Sequence, residues 1–162
     1  MTTNQYTWIK FTAASHSVNI EYLDSNQQGA GLWTPDEIDY GTSSRFHLKK
    51  YTAGSSSSGW NFYGITFWGE GGEAFKKSNV AQNFLSGTTN GSARFKTTSG
   101  GVHHYVQTVS VSDDEISFKA LNEGDSHGGT ISFQVTIVRQ NEEPLKYYTS
   151  RDPEIPLRRN DG

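Results

Sequence analysis

Three tryptophans stand beside loops rich in glycine, serine or proline, where an indole can do specific chemistry. Trp33 precedes a proline turn, Trp60 follows a serine run, and Trp68 precedes a glycine-rich turn. An indole has a flat apolar face and one N–H donor, which suit stacking on a sugar ring or insertion at the level of lipid headgroups. Any single tryptophan is more often a core residue. We nevertheless predict that Trp60 and Trp68, followed by Trp33 and Tyr63, bind a ligand.

Polar residues near these rings could complete a sugar pocket. The candidates are Asn61, Glu70, Asp125 and His127. A lectin would place one aromatic ring beside such groups in a shallow pocket, whereas a lipid-binding protein would gather tryptophan and tyrosine at one end of the domain. The basic residues are scattered, so base stacking without a positive groove is not expected, and we predict no nucleic-acid partner.

The histidines and clustered acids do not match a metal site. His103 and His104 are adjacent, so on a strand they point to opposite faces. His127 with Asp125 has no known ligand spacing. The consecutive acids at residues 113–115 could attract calcium, but they lack the spacing of an EF-hand loop and are ordinary in a hairpin turn. We predict neither a metal nor a cofactor.

Catalytic motifs are also missing from the sequence. It contains no G-x-S-x-G elbow, phosphate-binding loop, Rossmann glycine pattern or zinc-protease motif. The two carboxylates of a glycoside hydrolase can be far apart in a chain and leave no motif, so that class stays open. With no positive sign of catalysis, we predict a non-enzymatic recognition protein.

Composition narrows the classes further. The chain has 162 residues, enough for one domain with a real core, and a net charge of −3 from 17 acidic and 14 basic residues. It has no cysteine, so disulfides and thiolate chemistry are excluded. The N-terminus lacks a signal-peptide pattern, and no apolar stretch approaches the roughly 18 residues of a membrane helix. We expect a soluble chain that is cytoplasmic or released without a classical signal peptide.

Short alternating segments predict the fold that must position these residues. Residues 131–137 alternate apolar and polar side chains most clearly, and similar segments recur between glycine- and serine-rich turns. The pattern predicts an antiparallel β-sandwich of eight to ten short strands over residues 1–140. Residues 141–162 hold three of the four prolines and should form an extended tail, docked on its own domain or on a neighbour.

The aromatic segment after the serine run breaks the simple alternation. Trp60 and Phe62 occupy one phase, whereas Tyr63, Ile65 and Phe67 occupy the other. A regular strand would therefore carry large apolar groups on both faces. One face would meet the core, and the other would need a second sheet, another subunit or a ligand.

The layout resembles that of the aegerolysins, small acidic β-sandwich proteins that recognise membrane lipids and often act with a pore-forming partner. The matching segments are Trp8-Ile9-Lys10-Phe11, Val18-Asn19-Ile20, Pro35-Asp36-Glu37-Ile38, Gly41-Thr42-Ser43-Ser44-Arg45-Phe46, Ser57-Ser58-Gly59-Trp60 and Gly128-Gly129-Thr130-Ile131-Ser132-Phe133. The Cys-Pro-Trp-Gly element of many members is represented only by Phe67-Trp68-Gly69. The resemblance implies lipid recognition, in one half of a cytolytic or insecticidal toxin pair.

Two other functions fit the same sandwich. With its aromatics beside polar loop residues, it could be a carbohydrate-binding lectin. With its apolar tail residues, it could be a structural protein that assembles with copies of itself. Lipid binding ranks first, and the expected partners are therefore a membrane lipid or a glycan, then a pore-forming protein or a second copy of the chain.

Overall fold

The described chain consists of β-strands joined by turns and loops, and no helix occurs in it. The computed structural model describes residues 2–13, 18–23, 35–51, 59–68, 73–76, 91–96, 103–122, 129–139, 147–149 and 154–158. The strands are β1 (Thr2–Ala13), β2 (Val18–Leu23), β3 (Ser43–Lys50), β4 (Trp60–Trp68), β5 (Glu73–Lys76), β6 (Gly91–Lys96), β7 (His103–Val111), β8 (Glu115–Leu121), β9 (Gly129–Arg139), β10 (Tyr147–Thr149) and β11 (Glu154–Leu157). The spacing of Val80, Phe84 and Leu85 permits a helical turn in residues 78–85, and this segment lies outside the described residues.

Two sheets pack against each other, so the predicted β-sandwich is confirmed. One sheet has six strands in the order β2-β1-β3-β8-β7-β6. The other has five, in the order β10-β9-β4-β5, with β11 also paired to β9. Among the described strand pairs, only β1 with β3 is parallel, and the remainder are antiparallel. The sandwich therefore contains one pairing that the antiparallel prediction does not include.

Phe118 of β8 joins the two sheets through the core. Its ring stacks on Phe46 of the same sheet, with centroids 5.1 Å apart. It meets Phe67 and Phe133 of the facing sheet edge-on, at 4.7 and 5.7 Å. All four rings are buried, and each contributes about 1.5–3 kcal/mol through the burial of its apolar surface. Edge-to-face contacts of this kind fix how the sheets interdigitate.

A β-bulge at Tyr63 resolves the mixed alternation of β4. Phe62 pairs with Ile137 and Gly64 pairs with Thr136, so Tyr63 is an extra residue with no counterpart in β9. Because one inserted residue reverses the alternation, the apolar residues on both sides of it point to the same face. The inward residues before and after the bulge are Trp60, Phe62, Ile65 and Phe67. The facing sheet alone therefore suffices to cover the large apolar side chains of β4.

A second bulge, at Thr108, reverses the alternation of inward and outward residues in β7. The register to β8 shifts between Gln107 and Ser110, and Val106 and Val109 are both buried although they differ in phase. Thr108 has a φ of 51°, the left-handed region that β-branched residues avoid. The bulge therefore stores backbone strain in the six-stranded sheet.

The C-terminal segment docks on its own domain. β10 and β11 both run antiparallel along the edge of β9 that faces away from β4. Ile155 and Leu157 of β11 are buried in the core. The strands β10 and β11 thus cover an edge that would otherwise expose unpaired backbone groups.

Asn122 fastens this segment to the rest of the sandwich. Its side-chain amide nitrogen donates to the carbonyl oxygens of Ile38 and Arg158, at 3.0 and 2.9 Å. Asn122 is fully buried, and its backbone bonds to Thr42 and Gly41. Three segments distant in sequence therefore meet at one amide, which we call the Asn122 clamp.

Deleting Tyr63 should prevent folding, because the deletion returns β4 to regular alternation and turns half of its inward residues to the outer face. Tyr63→Ala is the matched control, since it keeps the residue count and removes only a half-exposed ring, for a loss of about 1 kcal/mol. Urea unfolding followed by tryptophan fluorescence measures both variants. A deletion variant with the wild-type midpoint would show that the bulge does not decide the core.

Asn122→Asp should destabilise the fold by about 3 kcal/mol or more, because a buried carboxylate would face two carbonyl oxygens without a donor. Asn122→Ala removes the two hydrogen bonds without adding a charge and should lose about 1–3 kcal/mol. Chemical denaturation of both variants gives the comparison. A smaller loss in Asn122→Asp than in Asn122→Ala would mean that the clamp acts through packing rather than through hydrogen bonding.

Candidate functional site

Trp60, the first of the predicted ligand-binding residues, lies in the core. Its side chain is 4% exposed. The indole contacts the ring of Phe11 at 6.4 Å and that of Tyr148 at 5.3 Å, and the guanidinium of Arg139 lies over it at 5.4 Å. These neighbours cover the indole, so Trp60 offers no ring face to a ligand in this structure.

Three other predicted residues lie on the outer face of the five-stranded sheet. Tyr63 in the middle of β4 and Trp68 at its end are half-exposed, and the ring of Tyr63 meets that of Tyr147 at 4.8 Å and 57°. The Oδ1 atom of Asn61 lies 3.5 Å from the ammonium of Lys50. The remaining predicted site residues lie outside the described residues, and they are Trp33, Glu70, Asp125 and His127.

The acids at residues 113–115 lie where β7 turns into β8, with Asp113 and Asp114 in the turn and Glu115 at the start of β8. Asp114 forms an ion pair with Lys50 at 2.8 Å, and Glu115 approaches Nδ1 of His47 at 3.2 Å. Among the residues that the structure describes, no group of three or more acids and histidines could hold a metal ion. Two of the three acids in this turn therefore hold neighbouring cationic or imidazole side chains.

Aromatic rings that the sequence did not single out gather on the outer face of the six-stranded sheet. Tyr6 and Trp8 follow one another on this face of β1, and the parallel pairing sets them beside His47 and Lys49 of β3. The Tyr6 ring stacks on His47 at 4.6 Å and 12°, and lies 6.4 Å and 26° from Trp8. The Lys49 ammonium lies over both rings of β1, at 5.5 and 6.0 Å. We call these four residues the aromatic–lysine cluster.

His47 is held in this cluster by contacts on its edges as well as on its face. Its Nδ1 lies 3.2 Å from Oε1 of Glu115, and its Nε2 lies 3.1 Å from Oδ1 of Asn4. Contacts of oxygen atoms with both ring nitrogens hold the plane of the imidazole. The Tyr6 ring, 39% exposed, is stacked on a preorganised surface.

The face around the cluster is positively charged, although the whole chain is negative. Lys10 extends the aromatic and cationic pattern, with its ammonium 5.6 Å from the centroid of Tyr51. The described charged side chains on this face of β1, β2, β3 and β8 are basic at Lys10, Arg45, Lys49 and Lys119, and acidic at Glu21 and Glu115. Four basic against two acidic groups leave the face positive, which favours anionic partners.

The sequence predicts that Tyr6 and Trp8 share a strand face, but not what lies beside them. Their neighbours come from β3, about forty residues later, through a parallel pairing that no hairpin specifies. The available signal is the alternation of Arg45, His47 and Lys49 with buried residues of β3, which marks a polar and ring-bearing outer face.

The chain matches no protein-family model and no curated protein sequence. In the part of the chain that the structure describes, no helix has the length and apolar character needed to cross a membrane. What can be said of the site therefore comes from its own geometry: stacked rings, a cation over them and a positive surround.

Trp60→Ala should lower the free energy of unfolding by about 3–5 kcal/mol, because it empties a large buried volume. Trp8→Ala should lower it by about 1 kcal/mol or less, since the Trp8 ring is half-exposed on the outer face. Chemical denaturation measures both values. Similar losses in the two variants would contradict the assignment of one indole to the core and the other to the surface.

Proposed function

We propose that the protein binds phospholipid membrane surfaces through the outer face of the six-stranded sheet. The aromatic–lysine cluster is the observation that carries this proposal. Tyrosine and tryptophan are suited to the level of lipid headgroups because each has an apolar body and a polar tip. Lysines beside them attract anionic headgroups, at about 1 kcal/mol for each charge near the surface.

The stacking of the rings favours a lipid surface over a sugar at this cluster. A sugar binds to an open aromatic face, but the face of Tyr6 carries His47 at 4.6 Å and the Lys49 ammonium at 5.5 Å. Tyr6 is nevertheless 39% exposed. A partly exposed tyrosine suits the headgroup region of a membrane, because its apolar body and its polar hydroxyl can each contact a layer of matching polarity.

Carbohydrate binding is the second candidate, and a different face favours it. On the five-stranded sheet, Tyr147 is 53% exposed and is tilted by 57° against Tyr63, so the two rings do not cover each other. Asn61, two residues before Tyr63 on the same face, supplies an amide. An exposed ring beside an amide is the chemistry of a shallow sugar site.

The aegerolysin resemblance further implies a pore-forming partner and a role in a toxin pair, and this stays a prediction. Self-assembly through the C-terminal tail is less favoured, because β10 and β11 pair with β9 of the same chain. The site proposed for lipids lies on the other sheet and needs no second copy.

Trp8→Ala should weaken binding to vesicles that contain anionic phospholipid by about tenfold, equivalent to ~1.4 kcal/mol, because it removes the largest apolar surface of the cluster. Trp68→Ala is the matched control, since it removes a half-exposed tryptophan from the opposite sheet. Vesicle co-sedimentation gives both affinities, and a panel of soluble sugars is titrated in parallel. Equal losses in the two variants, or a response to one sugar and to no vesicle, would overturn the lipid proposal.

A further inference from the structure

We propose that Arg45 and Lys119 form a binding site for a phosphomonoester group, which rests on the proposed membrane function and names its headgroup chemistry. The two residues are directly paired across the central strands β3 and β8. Both side chains are half-buried on the outer face of the six-stranded sheet. His47 of the aromatic–lysine cluster is the next outward residue after Arg45 on β3, about 7 Å along the strand.

The pair has no acidic partner in the described structure. No carboxylate forms an ion pair with either cation. The outward residues next to them on the same and adjoining strands carry no carboxylate, and these are Asn4, Ser43, His47, Gln107, Ser117 and Leu121. Glu115, four residues from Lys119 on β8, already contacts His47. β6, which lies beyond β7 in the sheet, contains no acidic residue.

Like charges at directly opposed positions of two strands destabilise a sheet. The partial burial of both side chains increases this repulsion, because water screens the charges less. A neighbouring acid would relieve it, in the way that Asp114 pairs with Lys50, yet none does so here. An anion that bridges the two cations would remove the repulsion, so the arrangement is complementary to a bound anion.

The strained bulge in β7 positions one of the two cations. Nη2 of Arg45 donates to Oγ1 of Thr108 at 3.1 Å, and this hydroxyl in turn donates to the carbonyl of Gln107 at 2.7 Å. Thr108 is the residue with a φ of 51°. The hydrogen bond holds the guanidinium in place while using one of its five N–H groups. The remaining N–H donors of the guanidinium can bind two oxygens of one ligand along one edge of the group.

A phosphomonoester fits this pair better than a carboxylate or a phosphodiester does. At neutral pH it carries between −1.5 and −2 charges and has three terminal oxygens. The guanidinium fork takes two oxygens, and the lysine ammonium takes the third as a point charge. The Cβ atoms of a directly opposed pair are about 5 Å apart, so both side chains can reach one phosphate. A carboxylate or a diester phosphate has only two such oxygens to share.

The test uses full-length protein and phosphatidylcholine vesicles that contain either phosphatidic acid, a phosphomonoester, or phosphatidylserine, a diester, at matched surface charge. The wild type should bind the phosphatidic acid vesicles about tenfold more tightly. Arg45→Gln and Lys119→Gln should each abolish this preference. Lys10→Gln, which removes the same charge elsewhere on this face, should weaken binding to both kinds of vesicle and retain the preference.

The failures of the two proposals are distinguishable. Binding to both anionic vesicles without a preference, or a preference that survives Arg45→Gln and Lys119→Gln, would overturn the phosphomonoester site and leave the membrane proposal standing. If no vesicle binds, the membrane proposal fails, and inorganic phosphate then tests the site alone. A phosphate-dependent rise in melting temperature that Lys119→Gln removes would assign the site to a soluble phosphomonoester. The absence of any rise would overturn it.

Lys119→Glu gives an independent check that does not depend on the ligand source. It replaces the repulsion with an attractive cross-strand pair, so the unliganded variant should melt at a higher temperature than the wild type. The same variant should lose both the preference for phosphatidic acid and the stabilisation by phosphate. A lower melting temperature would show that Arg45 and Lys119 do not repel each other in the unliganded protein.

Discussion

The aromatic core forms only because β4 turns its large apolar side chains to a single face. Trp60 and Phe62 before the bulge, and Ile65 and Phe67 after it, all pack into the interior, because the extra residue Tyr63 reverses the alternation between them. Phe62, Ile65 and Phe67 pair with Ile137, Val135 and Phe133 of β9, which alternate regularly and are also buried. The two strands thus form the centre of the five-stranded sheet, and the contacts of Phe118 with Phe67 and Phe133 depend on that placement.

The C-terminal segment completes this sheet and also contacts the residues that precede β3. β10 and β11 follow the outer edge of β9, and Arg158 forms ion pairs with Glu37 and Asp39 at 2.8 and 3.2 Å. Those surface ion pairs contribute little by themselves. The buried Asn122 clamp and the burial of Ile155 contribute more, so residues after the sandwich proper belong to its core.

Because Trp60 is buried in the core, the candidate site lies on the six-stranded sheet instead of beside Trp60. Trp60 is covered by its neighbours, whereas the parallel pairing of β1 with β3 builds a surface from Tyr6, Trp8, His47 and Lys49. On the same strand, Arg45 stands opposite Lys119 without an acid between them. Stacked rings and two cations without an acidic partner therefore occupy adjoining parts of one outward face, and the proposed binding to lipid headgroups rests on this arrangement.

The sequence by itself determined the all-β class, the positions of most strands and the lack of recognised catalytic motifs, because alternation and turn residues are local signals. It also showed that Tyr6 and Trp8 share a face. The tertiary structure decided which aromatic rings reach the surface. A bulge depends on how many residues the partner strand supplies, and a parallel neighbour depends on the burial of the whole sheet. Neither is encoded in the alternation of a single strand. The sequence pattern therefore predicted a ligand-binding role for Trp60, whereas the tertiary structure buries its side chain in the core.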